Sequence, residues 1–120
     1  MNNVIRQYCD WYNEFKDIYI LIEGIGIVKV YSFNDKPTEF YISNLYVNES
    51  ERRNGYGTEL LKEAIKEAIY KGATNISLWV KKYQSKEIEW YKSHGFEYLK
   101  DYPKEDAIWL TKNLQGVKGD

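Results

Sequence analysis

The chain has one cysteine, one histidine, no excess of either charge and no long apolar run. The single Cys9 excludes an intrachain disulfide and fits a reducing compartment. A Cys-His nucleophile would have to pair Cys9 with His94, and two singletons so far apart in sequence are a weak basis for one. Lys and Arg number 17 against 18 Asp and Glu, so there is no general basic footprint for nucleic acid or a membrane surface. The opening MNNVIRQYCDWYNEFKD lacks an apolar core of signal-peptide length. No run approaches the ~18 apolar residues of a membrane helix. These absences point to a cytoplasmic protein, and 120 residues suit one domain spanning 1–120.

What is present is an alternation of strand-like and helix-like segments. Residues 4–16 mix apolar and polar side chains at spacings compatible with a short, weakly capped helix. IYILIEGIGIVKVYSF gives two β-rich runs divided around Glu23-Gly24, and FNDKP supplies a turn. FYISNLYV, 40–47, is a third strand. Leu60, Leu61, Ala64, Ile65, Ala68 and Ile69 then recur every three to four residues, with Lys62, Glu63, Lys66 and Glu67 opposite, and Gly72 ends this helix. NISLWV, 75–80, is a largely apolar strand, joined to the third by a right-handed βαβ crossover. A short helix follows from Ser85, its expected N-cap, to His94, stopped by Gly95. FEYLKD and AIWLTKNL read as two last strands around Tyr102-Pro103. The fold class is α/β (α+β): a mostly antiparallel sheet flanked by helices, with one parallel crossover.

The stretch SERRNGYGTELL, at the start of the long helix, puts Arg52, Arg53, Gly55 and Gly57 where the first helical turn leaves N–H groups unpaired and the peptide dipoles leave partial positive charge. Glycines there let a ligand approach the backbone, and an arginine adds a charge-assisted contact. The pattern R-x-x-G-x-G on a strand-to-helix junction therefore suits a phosphate or pyrophosphate. Two other phosphate loops do not fit. Gly57 is followed by Thr58 without the lysine of a Walker A loop, and Gly24-Ile25-Gly26 has Lys29 where a dinucleotide fingerprint needs its third glycine.

NLYVNESERRNGYGTELL and EWYKSHGFEYL together resemble the GNAT superfamily of acyl-CoA-dependent N-acyltransferases. The first is similar to that family's strand, R/Q-x-x-G-x-G/A loop and helix. The second is similar to the Y-x-x-x-G-F ending of its following helix. Residues 18–112 are covered. The resemblance implies a GNAT-like fold and an N-acetyltransferase that passes an acetyl group from acetyl-CoA to a primary amine, by direct attack with both substrates bound. No metal is implied. The anion of the loop would be the pyrophosphate of acetyl-CoA.

Carried over residue by residue, Leu45, Tyr46 and Val47 would end the strand that pairs with the pantetheine arm. Arg52, Arg53, Asn54, Gly55, Tyr56, Gly57 and Thr58 would form the pyrophosphate loop. Tyr91 would lie near the sulfur as general acid, which suits a phenol with a pKa near 10. His94, just before Gly95, reads as a cap contact or an exposed side chain, not a base. Gln84 stands where the family often has a cofactor-contacting asparagine, and Glu49 where a proline is common. Glu39, on the strand leading to the site, is the candidate base, with Glu23 or a water relay as alternatives. The family's first strand and pair of helices, which shape the acceptor side, are compressed into residues 1–17. That leaves a pocket that is open or completed by a second chain, so a homodimer is considered. The acceptor, a small-molecule amine or a protein amino group, is not specified. A non-catalytic acyl-CoA-binding module or sensor subunit is the alternative function.

Overall fold

The computed structural model describes residues 4–11, 15–33 and 35–116. In chain order the elements are β1 (Val4–Trp11), β2 (Phe15–Ile22), β3 (Gly26–Phe33), β4 (Lys36–Val47), α1 (Tyr56–Tyr70), β5 (Asn75–Lys81), α2 (Ser85–Ser93), β6 (Glu97–Tyr102) and β7 (Ala107–Asn113). Short 3-10 turns lie at Glu49–Glu51 and Pro103–Glu105. The seven strands form one sheet in the order β1-β2-β3-β4-β5-β7-β6. Every neighbouring pair is antiparallel except β4–β5.

The helix expected over residues 4–16 is not formed. Val4–Trp11 is instead a strand, paired with β2 from Val4↔Ile22 to Trp11↔Phe15. A lone helix of that length is marginal in water, whereas the edge of β2 offers a full row of backbone partners. Arg6 then ties β1 to α1, donating to Glu63 and lying 3.4 Å from the buried Glu67. The expected compression into a strand and two helices is corrected in the same way. Residues 4–11 and 15–17 belong to the paired strands β1 and β2, and no helix lies among the described residues of this region.

β4 starts at Lys36, earlier than the sequence suggests. Pro37 is accommodated because β3 pairing jumps from Phe33↔Lys36 to Ser32↔Phe40, leaving its missing N–H without consequence. Asp35 lies in the expected turn, while Asn34 falls outside the described residues.

Side chains alternate across the sheet. Ile18, Ile20, Val28, Val30, Phe40, Ile42, Ile76, Leu78, Val80 and Leu110 point to one face and are buried there with Leu60, Leu61, Ala64 and Ala68 of α1. Ile88, Trp90 and Tyr91 of α2 pack against the same core. Both helices thus lie on one face. The other face shows Tyr31, Tyr41, Trp79 and Trp109, and no helix covers it among the described residues.

One irregularity shapes the middle of the sheet. Between the pairs Lys29↔Ser43 and Ile27↔Tyr46, β4 advances one residue more than β3. Asn44, at φ +58°, sits in that interval in the left-handed region, where asparagine is among the few tolerated side chains. Such a bulge bends its strand. β4 and β5 are paired only at Glu39↔Asn75, Phe40↔Ile76 and Tyr41↔Ser77, and then run on to Val47 and Lys81 without pairing to each other. The sheet is forked at its centre.

Candidate active site

The fork holds a cavity of about 690 Å³, walled by Ile42–Val47 on one side and Trp79–Lys81 on the other, with Gln84, Glu87 and Tyr91 of the following segment. A second cavity, of about 560 Å³, lies between the end of β4, the loop 52–55, the first turn of α1 and the α2 residues Trp90 and Tyr91. Leu45, Val47, Arg52, Glu87 and Tyr91 line both. A single elongated ligand could therefore run from the helix start into the fork.

The loop is built for backbone contact. Arg53 (φ +68°) and Gly55 (φ +83°) are both left-handed, a conformation that turns consecutive N–H groups towards one point. Gly55 is the N-cap residue and supplies no side-chain cap. The first helical bond runs from the Glu59 N–H to the Gly55 carbonyl. The N–H groups of Gly57 and Thr58 precede it and have no carbonyl one turn back to pair with. Ser50 lies in the preceding 3-10 turn and does not cap α1. A Cβ on Gly57 would sit 3.7 Å from the Trp90 ring and 4.0 Å from a Val47 methyl, ordinary contact distances. Gly57 therefore keeps space in the cavity and is not demanded by the fold. Gly26 is different: a Cβ there would lie 2.5 Å from the Tyr46 carbonyl oxygen, so this glycine serves the close approach of β3 to β4.

The two arginines separate. Arg52 turns back, its Nε–H donating to the Val47 carbonyl at 3.0 Å and its guanidinium lying 5.5 Å from the Tyr46 ring centre. Arg53 is exposed and lines only the loop cavity. Asn54 lines neither cavity and braces the loop through the Glu51 carbonyl at 3.3 Å.

The Y-x-x-x-G-F pattern has a physical basis at the end of α2. Gly95 (φ +92°) breaks the helix, the Phe96 N–H reaches back to the Tyr91 carbonyl at 3.2 Å, and the Gly95 N–H to Lys92 at 3.0 Å. This closure brings residues at the Tyr91 and Phe96 positions into contact. Their rings meet edge-on at 5.6 Å, with Phe96 2% exposed. Tyr91 is thereby fixed with its ring against the core and its edge on both cavities. Burial, reinforced by the Glu87 carboxylate, pushes its hydroxyl pKa up to about 12. His94 is the C-cap: its Nδ1 lies 2.9 Å from the Trp90 carbonyl oxygen, and its own carbonyl accepts from Lys112 Nζ at 2.7 Å. The N-cap of α2 is Gln84, not Ser85, which is the first helical residue. Gln84 Oε1 accepts the Lys81 N–H at 3.1 Å, an interaction across the turn that a serine at 85 does not make.

Of the residues singled out in the sequence, Leu45, Tyr46, Val47, Arg52, Arg53, Gly55, Tyr56, Gly57, Thr58, Gln84 and Tyr91 all line one or both cavities. Glu39 does not. It pairs with Asn75 where the strands are still closed, six residues and roughly 20 Å of strand from Leu45. Glu23 is exposed in the β2–β3 turn. The carboxylate that does reach both cavities, Glu87, was not anticipated, although its place four residues before Tyr91 on a helix puts it on the same face.

Residues 4–96 match the acetyltransferase (GNAT) family. The chain belongs to that family and is an acyltransferase of it. Among solved structures it is similar to a GNAT family acetyltransferase from Elizabethkingia anophelis with acetyl-CoA bound, at 20% identity over 87% of this chain and 79% of that one, with a TM-score of 0.71. It is also similar to an acetyltransferase from Bacillus subtilis in complex with CoA (19%, 87% and 80%, TM-score 0.69). A third is the PaiA N-acetyltransferase from Thermoplasma acidophilum in complex with coenzyme A (19%, 83% and 61%, TM-score 0.69). At these TM-scores the three share the overall fold of this chain. No helix among the described residues is long and apolar enough to cross a membrane.

Proposed function

We propose that the protein transfers the acetyl group of acetyl-CoA to a primary amine held at the fork. The observation that carries this reading is the meeting of three features on two cavities that share a wall: the N–H-rich loop, the end of β4 where it has parted from β5, and Tyr91. The loop fits a pyrophosphate through the Gly57 and Thr58 N–H groups and the Arg53 charge. The edge of Leu45–Val47 that faces away from β3, where β5 has parted from it, fits the amides of a pantetheine arm, and an N–H group on that edge would polarise a thioester carbonyl. The donor's sulfur would then lie in the fork beside Tyr91.

In the reaction the amine lone pair attacks the thioester carbon, forming the C–N bond. The C–S bond breaks, and its electron pair leaves on sulfur. Tyr91, fully protonated at neutral pH, gives its proton to that thiolate and regains one from solvent. Glu39 is too distant to take the amine proton, which passes to water at the open mouth of the fork. Holding both reactants in one complex supplies much of the acceleration through orientation.

The sheet face that no helix covers among the described residues favours one second reading, an acyl-CoA-binding module without turnover. Thermal unfolding with acetyl-CoA, CoA and ATP, followed by thiol release with an amine panel, separates the two. Stabilisation by both CoA species and little by ATP, with amine-dependent thiol release, is the expected result. Stabilisation without release for any amine would select the binding module, and no stabilisation at millimolar CoA would reject both.

A further inference from the structure

Resting on the acetyltransferase reading, two properties of the fork cavity narrow the acceptor. The first is charge. Arg52 and Lys81 line this cavity against one carboxylate, Glu87. Both cations sit over rings that face the cavity, Arg52 5.5 Å from the centre of Tyr46 and Lys81 5.5 Å from that of Trp79. Lys81 is fixed there, donating to the Glu105 carbonyl at 2.7 Å and lying 3.6 Å from its carboxylate. With Glu105 paired to Lys81, the charges of Arg52, Lys81, Glu87 and Glu105 balance, so no excess of carboxylate is left to hold a second ammonium. Polyamines and aminoglycosides are poorly matched.

The second property is the surface that leads out of the fork. Trp79, 40% exposed, is continued by Tyr102, Trp109 and Tyr41 in a chain of edge and tilted ring contacts at 5.8, 5.5 and 5.9 Å. This strip lies on the face that no helix covers among the described residues. It is aromatic and continuous with the cavity wall, with the Lys81 ammonium over the Trp79 ring at its cavity end. We propose that the acceptor is a monoamine carrying an aromatic body: the amine reaches into the fork beside Tyr91, and the ring lies against Trp79 and its aromatic neighbours. Ring pairs of this kind favour offset or edge-on contact and discriminate against aliphatic amines.

The test is thiol release at saturating acetyl-CoA with 2-phenylethylamine, tyramine and tryptamine against spermidine and kanamycin. The arylalkylamines are expected to show KM values lower by about tenfold or more. Trp79→Ala should raise their KM by about tenfold with kcat little changed, and Trp79→Phe should restore most of the difference. Lower KM for spermidine or kanamycin, or an unchanged KM in a folded Trp79→Ala protein, would overturn the proposal. Trp79→Leu, which keeps apolar area without the ring, replaces Trp79→Ala if that variant unfolds. Calorimetric titration of 2-phenylethylamine into the CoA-saturated protein gives an arm independent of turnover. Binding weakened by Trp79→Leu supports the proposal, and absence of binding at millimolar amine overturns it even where acetyl-CoA stabilises the fold. Acetyl-CoA stabilisation is scored separately, so loss of the cofactor reading and loss of the acceptor reading give different results.

Discussion

Arg52 donates its Nε–H to the carbonyl of Val47, so the first residue of the loop holds the last residue of β4. The guanidinium that the sequence suggests for phosphate is thus used, at least through one nitrogen, to fix the end of the forked strand. Arg53, exposed and on the loop cavity alone, carries the charge available to an anion.

This division predicts different behaviour for the two arginines. Arg53→Glu should weaken acetyl-CoA by about tenfold or more, with the difference shrinking as salt is raised. Arg52→Lys keeps the charge but not the guanidinium fork. It should weaken CoA severalfold with little dependence on salt. Titrations at two ionic strengths check both, and a salt-sensitive loss in Arg52→Lys would return that residue to the anion site.

Gly57 gives a graded series. Gly57→Ala adds a Cβ at ordinary distance from Trp90 and should leave the unfolding midpoint unchanged, with CoA affinity within about threefold of the parent. Gly57→Val brings further methyls into the cavity and should abolish measurable CoA binding while the protein stays folded. Circular dichroism together with calorimetry reads the two effects separately.

Tyr91→Phe should preserve CoA binding and lower kcat by roughly 100-fold. Because the Tyr91 pKa is pushed up to about 12, the parent should show no alkaline loss of rate from this group below about pH 11. The sign for stability is the opposite of a benefit. An unfolded tyrosine ionises near pH 10 while the folded one resists, so stability due to this group is complete below pH 10 and is lost between about 10 and 12. Tyr91→Phe lacks that component. Denaturant midpoints from pH 9 to 12 should fall more steeply for the parent than for the variant.

Arg6→Ala should cost about 1–3 kcal/mol, since it removes the cation that faces both Glu63 and the buried Glu67. Leu60→Ala, in the fully buried row of α1, should cost about 2–5 kcal/mol. Urea unfolding measures both.

The βαβ crossover, the helix Leu60–Ile69 and the loop glycines were legible because each rests on local periodicity or on a backbone demand of a few residues. The Tyr91–Gly95–Phe96 pattern was legible for the same reason, as the closure of one helix end. β1 was not, since VIRQYCDW becomes a strand through the free edge of β2, a partner that no local pattern displays. Glu39 was misplaced because a strand's direction can be seen in sequence, but not the point at which it parts from its neighbour. The separate duties of Arg52 and Arg53 depend on a contact to Val47 that adjacent, identical residues cannot reveal.

The bulge at Asn44 makes the gap in the sheet a matter of counting. With one residue fewer between Ser43 and Tyr46, β4 would return to step with β3, and its later side chains would exchange faces. Leu45 and Val47, which line both cavities, owe their present orientation to that odd residue. The capacity to admit a substrate is thus written in the length of one strand, and a deletion that leaves every named chemical group in place would be enough to erase it.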